Sequence, residues 1–402
     1  MSDDHAQLPR GFRASGTTCG IKASGKPDLA LFVSDSPASA AGVFTTNRVC
    51  GAPVTVTRGR VPSESVRAVI INSGNSNACT GTRGIEDAQA MTAAVAAQIG
   101  CSREDVLVCS TGVIGVPLPM GIVQAGIPKA VSALGDCGAS FLNAATSMMT
   151  TDTFAKQASV EVQLGGRSVR IAGCAKGAAM IAPNMATMLS LVMTDAVLTA
   201  QQCDEALRFG VDRTFNCISV DGHMSTSDTV LLLASGASGV QPSGDDLTQL
   251  RNSVQQVCEK LATDIIRDAE GAEHFITVDV EGFETRAAAH CIAKEIADSA
   301  LVKTAITGND PNWGRITSAA GYAGIPFDPA YLSLTINDTE VYRAGTPLSF
   351  DSAALSRQMK SRREVHLRLV LSGGPASGGE SVRYWTSDLT QEYVRLNSEY
   401  TT

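Results

Sequence analysis

The segment Lys176-Gly177-Ala178-Ala179-Met180-Ile181-Ala182-Pro183-Asn184-Met185-Ala186-Thr187-Met188-Leu189 constrains this chain more than any other stretch. It sets a threonine behind a Gly- and Pro-containing approach and directly ahead of the apolar run Leu189-Ser190-Leu191-Val192-Met193. A hydroxyl alone is a weak nucleophile and needs an adjacent base. A cut between Ala186 and Thr187 would create that base, because the new α-amine has a reference pKa of about 8. One residue would then supply both the attacking oxygen and the proton acceptor. On pattern alone, a buried threonine opening a core strand fits the same residues. If the cut is made, it falls inside a 402-residue chain, and the two pieces must share one core to stay together.

With 402 residues and 44% hydrophobic content, the chain can bury a sizeable core, and its length suggests two lobes. The formal charge of −8 argues against a nucleic-acid or membrane-surface partner, since neither attracts an acidic protein. No run approaches the ~20 apolar residues needed to span a bilayer. The start, Met1-Ser2-Asp3-Asp4-His5, is polar and acidic, unlike the basic opening of a secretory signal. The eleven cysteines are scattered, odd in number and without a CxxC pair, which reads as free buried thiols in a reducing cytoplasm. No HExxH or other ligand spacing calls for a metal, and nothing calls for a cofactor.

Strand-like and helical runs are mixed along the chain, without repeat or low-complexity linker. Val66–Ile71 and Val106–Cys109 read as buried strands, each running into a polar loop: Asn72-Ser73-Gly74-Asn75-Ser76-Asn77 in one case, Ser110-Thr111-Gly112 in the other. Residues 86–99 form an Ala-rich helix with Gly100 as its stop. Residues 159–172 alternate around Gly165-Gly166, a hairpin signal. Residues 200–209 and 245–268 are amphipathic helices, the second carrying Leu247, Leu250, Val254, Val257, Leu261 and Ile265 at helical spacing. Further strands are expected at 275–280, 332–336 and 365–371, and a last helix at 389–397. The class is α/β, or mixed α+β.

The Lys176–Leu189 word resembles the self-cleavage motif of the ornithine acetyltransferase family, the bifunctional acyltransferases of arginine biosynthesis. Ser110-Thr111-Gly112-Val113-Ile114-Gly115, Met149-Thr150-Thr151-Asp152-Thr153, Arg213-Thr214-Phe215-Asn216, Asp310-Pro311-Asn312-Trp313-Gly314-Arg315 and the tail Asn397-Ser398-Glu399-Tyr400-Thr401-Thr402 resemble other signatures of that family, in family order, so the resemblance covers the chain from Gly11-Phe12 to Thr402. The resemblance implies a layered helix–sheet fold of the N-terminal-nucleophile type with a smaller C-terminal lobe at about 280–402. It divides the chain into residues 1–186, the first half of the main lobe, and 187–402, bearing the nucleophile.

The same resemblance implies the roles. Thr187 is nucleophile and base, with Ala186–Thr187 as the cleavage site. Thr111 and Gly112 hold the oxyanion; a hydroxyl and a backbone N–H at a strand end are fixed dipoles aimed where transition-state charge appears. Thr150, Lys176, Thr187, Glu270, Asn397 and Thr402 bind substrate. The substrates implied are N-acetylornithine as donor and glutamate as acceptor, with acetyl-CoA as a further donor. The two fragments would associate as a heterotetramer of two pairs, in the cytoplasm. The Asp310–Arg315 word and the Asn75/Asn77 loop read as structural.

Two places depart from the family pattern. Glu273 and His274 stand where Thr-Lys is usual, and His223 and Met224 where Asp-Thr is usual. Histidine titrates near neutrality, so these swaps leave open a changed donor preference or pH dependence beside plain drift. Other readings also remain open: a self-cleaving amidase in which water replaces glutamate, an acetyltransferase of secondary metabolism, and a non-catalytic relative. The joint presence of Ala186-Thr187, Thr111-Gly112, Lys176 and Glu270 speaks against the last.

Overall fold

Gly165 and Gly166 adopt positive φ, 55° and 72°, the two-residue turn whose twist matches paired strands. The alternation around them therefore folds as a hairpin, with Leu164 facing Arg167. The computed structural model describes residues 5–181 and 188–399. Ala186, Thr187 and Thr402, all singled out in the sequence, lie outside the described residues.

The chain begins with β1 (Phe12–Thr17), β2 (Leu29–Phe44), α1 (Ala52–Arg58), β3 (Ser63–Asn75), α2 (Gly81–Ile99), β4 (Val106–Val113), α3 (Met120–Ser132) and α4 (Gly138–Met148). The hairpin strands β5 (Lys156–Leu164) and β6 (Arg167–Lys176) follow. After them come β7 (Leu189–Thr194), α5 (Ala200–Arg213), β8 (Ile218–Ser219), β9 (Thr229–Ala234) and α6 (Asp245–Arg267). Next stand β10 (Phe275–Phe283), α7 (Arg286–Asp298), α8 (Ala300–Thr307), α9 (Trp313–Gly321), β11 (Leu332–Ile336), β12 (Thr339–Arg343) and β13 (Thr346–Pro347). The described chain closes with α10 (Ser352–Ser361), β14 (Glu364–Leu371), β15 (Ser377–Ser387) and α11 (Gln391–Glu399).

The strands form two mixed sheets, so the α/β expectation holds. In the first, the order is β4-β3-β2-β9-β7-β6-β5, with β1 also on β2; in the second it is β13-β12-β11-β14-β10-β15-β8. β2 joins the two halves of the first sheet. It pairs with β3 on both sides of a register slip between Val33 and Ala38, and its end, from Ser39, pairs with β9 as well. That slip contains Ser34-Asp35-Ser36-Pro37, a turn-like word that hides the strand from sequence reading.

Successive residues of the central strands serve different cores. Val69 and Ile71 of β3 pack with Phe141 of α4, while Ala68 and Ile70 pack with Met91 and Val95 of α2. In β9, Leu231 and Leu233 join the first cluster, and Val230 and Leu232 join a third. Strands covered on both faces read as continuous apolar runs instead of alternating ones. The third cluster also takes Leu250, Val254, Leu261 and Ile265 of α6 and runs on into Val278, Leu334 and Leu367 of the second sheet. Apolar packing is thus unbroken from one sheet to the other. β7, β6 and β9 lie side by side, with Lys176, Leu189 and Thr229 level at one end.

Candidate active site

That level row of strand ends borders a cleft of about 640 Å³, part of it open to solvent. Thr111, Gly112, Thr150, Lys176, Glu270 and Asn397, all marked in the sequence, line it. They arrive from five separate places: the end of β4, the loop after α4, the end of β6, the loop after α6, and α11.

Lys176 is 3% exposed, and its Nζ donates to Thr111 Oγ1 at 3.2 Å. Because the hydroxyl oxygen accepts this bond, its own proton is free to donate into the cleft, and the cation polarises it. Burial lowers the Lys176 pKa below the usual lysine value, against the opposing pull of Asp152. Gly112 has φ +130°, and a Cβ there would lie 2.3 Å from the Gly74 carbonyl carbon, so no side chain fits. β4 thus continues through Thr111 and Gly112 beside β3, where sequence suggested a loop.

Four carboxylates organise the walls. Asp152 accepts from the N–H of Thr150 at 2.9 Å, the N–H of Gly177 at 2.7 Å and Lys156 Nζ at 2.6 Å. Its burial would raise its pKa, but Lys156 and Lys176 outweigh that and hold it at about 2. Lys156, fully buried, also reaches Asp268 at 2.5 Å, and Asp268 accepts from the N–H and hydroxyl of Thr153. Two residues on, Glu270 N–H donates to Ala178 O at 2.9 Å, and Glu270 Oε2 accepts from Asn397 Nδ2 at 3.0 Å. The fourth, Asp221, accepts from the N–H groups of Met180 at 2.6 Å and Ile181 at 2.9 Å, and from Tyr393 Oη at 3.1 Å. Met180 carries φ +56°, a backbone state held by these bonds.

Beyond residues 182–187 the chain is caught again. Met188 N–H donates to Asp228 Oδ1 at 3.1 Å, and Met188 O accepts from Thr229 N–H at 3.1 Å. Burial raises the Asp228 carboxyl well above the ordinary carboxylate range, outweighing the Met188 N–H, nearby hydroxyls and the Lys176 cation. The hydroxyls of Ser225, Thr226 and Ser227 complete the cleft lining. Sequence reading passed over this stretch, and over Lys22, whose Nζ donates to Met149 O and Pro27 O at 2.7 Å each. Burial lowers Lys22 to about 8. A lone lysine or a Ser/Thr run gives no local signal of such a role.

The remaining sequence readings fall into place away from the cleft lining. Asn75 and Asn77 hold loops, donating to Val116 O at 3.0 Å and Gly84 O at 2.8 Å. Asn312 caps α9, Trp313 stacks on Tyr342 with centroids 5.3 Å apart, and Arg315 donates to Leu301 O at 2.9 Å. His274 is buried with Nδ1 2.8 Å from Asp388 Oδ2, and His223 is exposed. All eleven cysteines are free, five of them buried and three exposed, so the burial expected for them holds only in part. Among the described residues, no helix is long and apolar enough to cross a membrane.

Comparison with known proteins bears on the whole chain. A sequence model of the ArgJ family matches residues 13–402. The "Arginine biosynthesis bifunctional protein ArgJ" of Rhodopirellula baltica is 48% identical over 399 residues, 98% of this chain and 96% of that protein. The protein of the same description from Symbiobacterium thermophilum is 44% identical, covering 98% of each. Among solved structures, the arginine biosynthesis bifunctional protein from Bacillus halodurans is 36% identical with a TM-score of 0.51. It covers 53% of this chain and 100% of its own.

Two outcomes follow from the buried charges. Lys156→Met strands Asp152 and Asp268 without their cation and is expected to destabilise the fold by about 3–5 kcal/mol, measured by chemical denaturation. His274 has its pKa raised by the hydrogen bond to Asp388, despite burial. Its contribution is therefore fully present below its ordinary 6.5 and is lost as pH rises through the raised value. The Tm advantage of the wild type over His274→Gln should accordingly shrink as pH climbs from 6 to 9.

Proposed function

The chain belongs to the ArgJ family, and on that premise we propose that it is a self-processing acetyltransferase moving acetyl from N-acetylornithine to glutamate. It is an acyltransferase of arginine biosynthesis. The observation that carries the mechanism is the convergence of Thr111, Gly112, Thr150, Lys176, Glu270 and Asn397 on one cleft. The two ends that flank residues 182–187 belong to the same place, since Met180 and Ser227 line the cleft and Asp228 binds Met188.

In the precursor, Thr187 Oγ attacks the carbonyl carbon of Ala186, the C–N bond breaks, and the acyl group passes to oxygen. Water then hydrolyses the ester, leaving Ala186 as a carboxylate and Thr187 with a free α-amine. The Bacillus halodurans chain spans 53% of this one, about the share that residues 187–402 make up, which supports a division near Thr187. Fragments 1–186 and 187–402 remain paired because strands β6 and β7, on either side of the cut, hydrogen-bond along their length. Two such pairs make the heterotetramer.

In turnover, Thr187 Oγ attacks the acetyl carbon of N-acetylornithine and its amine takes the proton. The Thr111 hydroxyl and the Gly112 N–H hold the oxyanion, the proton passes to the departing nitrogen, and ornithine leaves. The amine of glutamate then takes acetyl from the Thr187 ester. The cleft suits zwitterions: Lys176 and the hydroxyls of Thr150 and its neighbours face a carboxylate, and Glu270, held by Asn397, faces an ammonium group. Thr402 is assigned to substrate binding on the resemblance alone. Acetyl-CoA as a second donor uses the same nucleophile.

Denaturing intact-mass analysis tests this reading. Wild type is expected as two fragments split before Thr187, with an acetyl increment on the later one after N-acetylornithine is added. Thr187→Ala should stay one uncut, inactive chain. Thr111→Val should lower kcat by roughly 10²–10³ through loss of one oxyanion donor. A fully active, uncut wild type would refute the proposal.

A further inference from the structure

The loop between β1 and β2 is wound around one carboxylate. Asp28 has no exposed surface, and its two oxygens accept from the N–H groups of Cys19 at 2.7 Å, Gly20 at 3.0 Å, Ile21 at 2.7 Å and Lys22 at 3.1 Å. Its backbone oxygen accepts from Ser73 N–H at 2.9 Å, so the loop is tied to the end of β3. Held this way, Lys22 is not among the residues that line the cleft but meets two parts of it from behind. Its stem lies against Gly74, where an added Cβ would fall 3.0 Å from Lys22 Cγ. Gly74 pairs in turn with Gly112, whose own Cβ would lie 2.3 Å from the Gly74 carbonyl carbon. At its other end, Lys22 Nζ donates to Met149 O and Pro27 O, at 2.7 Å each.

The Met149–Thr150 peptide is therefore gripped at both of its polar atoms. Lys22 holds the oxygen, and Asp152 accepts from the N–H at 2.9 Å. A peptide group is planar and rigid, so two fixed atoms leave Thr150 little room to turn. Ser73 Oγ also joins the end of β3 to α4, donating to Ser147 O at 2.6 Å, but that bond ends inside the helix and leaves the chain beyond it unguided. The charged groups around Lys22 are Asp28 and Asp152, which favour its cation, and Lys176 and Lys26, which oppose it. Two carbonyls need only two N–H groups, and a neutral amine has two as well, so the hold does not depend on the charge. We propose that Lys22 is a positioning residue for acetyl transfer, one that sets the Thr150 wall of the cleft against the Gly112 donor. The inference rests on the acetyltransferase reading above, in which Thr150 meets the substrate and Gly112 the oxyanion.

Lys22→Met keeps the stem on Gly74 and removes both donors. The full chain, wild type and variant, is compared by thermal melting and by kcat and KM for acetyl transfer from N-acetylornithine to glutamate. The expected result is a melting temperature within a few degrees of wild type and kcat/KM lower by about tenfold or more, since a 1 Å misplacement costs on the order of 100-fold. KM for N-acetylornithine should rise severalfold, which a smaller folded fraction cannot produce. Lys22→Arg, whose guanidinium offers donors to both carbonyls, is expected to recover most of the loss. Should Lys22→Met fail to fold, Lys22→Gln, one atom too short for the carbonyls, is expected to show the same rise in KM. A folded variant of either kind with the KM and kcat of wild type overturns the inference. So does one whose activity falls only in step with its stability, at unchanged KM. A wild type that moves no acetyl overturns the acetyltransferase reading, and the inference with it.

Discussion

The ammonium group of Lys156 is sealed from water between the carboxylates of Asp152 and Asp268, and the cleft is assembled around that ion triad. A buried ion pair adds little net stability, because desolvation offsets the attraction, but losing one member leaves charge uncompensated. Its value lies in what the carboxylates hold besides the lysine. Asp152 ties the loop after α4 to the end of β6, and Asp268 ties the same loop to the end of α6. Thr150, Lys176 and Glu270, distant in sequence, are thus fixed relative to one another by one network.

A second constraint comes from strand pairing. The level ends of β6, β7 and β9 fix where the chain enters and leaves residues 182–187. Carboxylates finish the work on both sides, with Asp221 on Met180 and Ile181, and Asp228 on Met188. Backbone N–H groups of these flanking residues would otherwise lack partners, so each acid satisfies a donor and fixes the backbone of Met180, Ile181 or Met188 at once. α11 closes the cleft from the far end of the chain. Thr390 Oγ1 donates to Gly271 O, and Tyr393 Oη donates to Asp221, so Asn397 meets Glu270. His274 and Asp388 anchor the base of that helix, which gives the departure at His274 a structural role outside the cleft lining.

Much of the local structure was legible in the sequence. The Gly165-Gly166 hairpin, the stop of α2 at Gly100 with φ +72°, and the amphipathic run of α6 all rest on rules acting within a few residues. β2 was not legible, since its register with β3 slips, its second half also takes β9 as a partner, and a Ser-Asp-Ser-Pro word sits between the halves. The paired ends of β3 and β4 read as loops, because glycine and asparagine are poor strand formers and only the neighbouring strand holds them.

By itself, the sequence determined the motif words, their order, and so the family and the residues to watch, because chemistry that needs a threonine, a lysine and a Thr-Gly pair writes itself in short local patterns. Only the tertiary structure decided that Thr111, Lys176, Glu270 and Asn397 face one cleft, and that Asp152, Lys156, Asp268 and Asp228 stand behind them. Aspartate and lysine are ordinary surface residues in any local window. They become a buried network only where strands and helices remote in sequence exclude water around them, and that exclusion is a property of the packed fold.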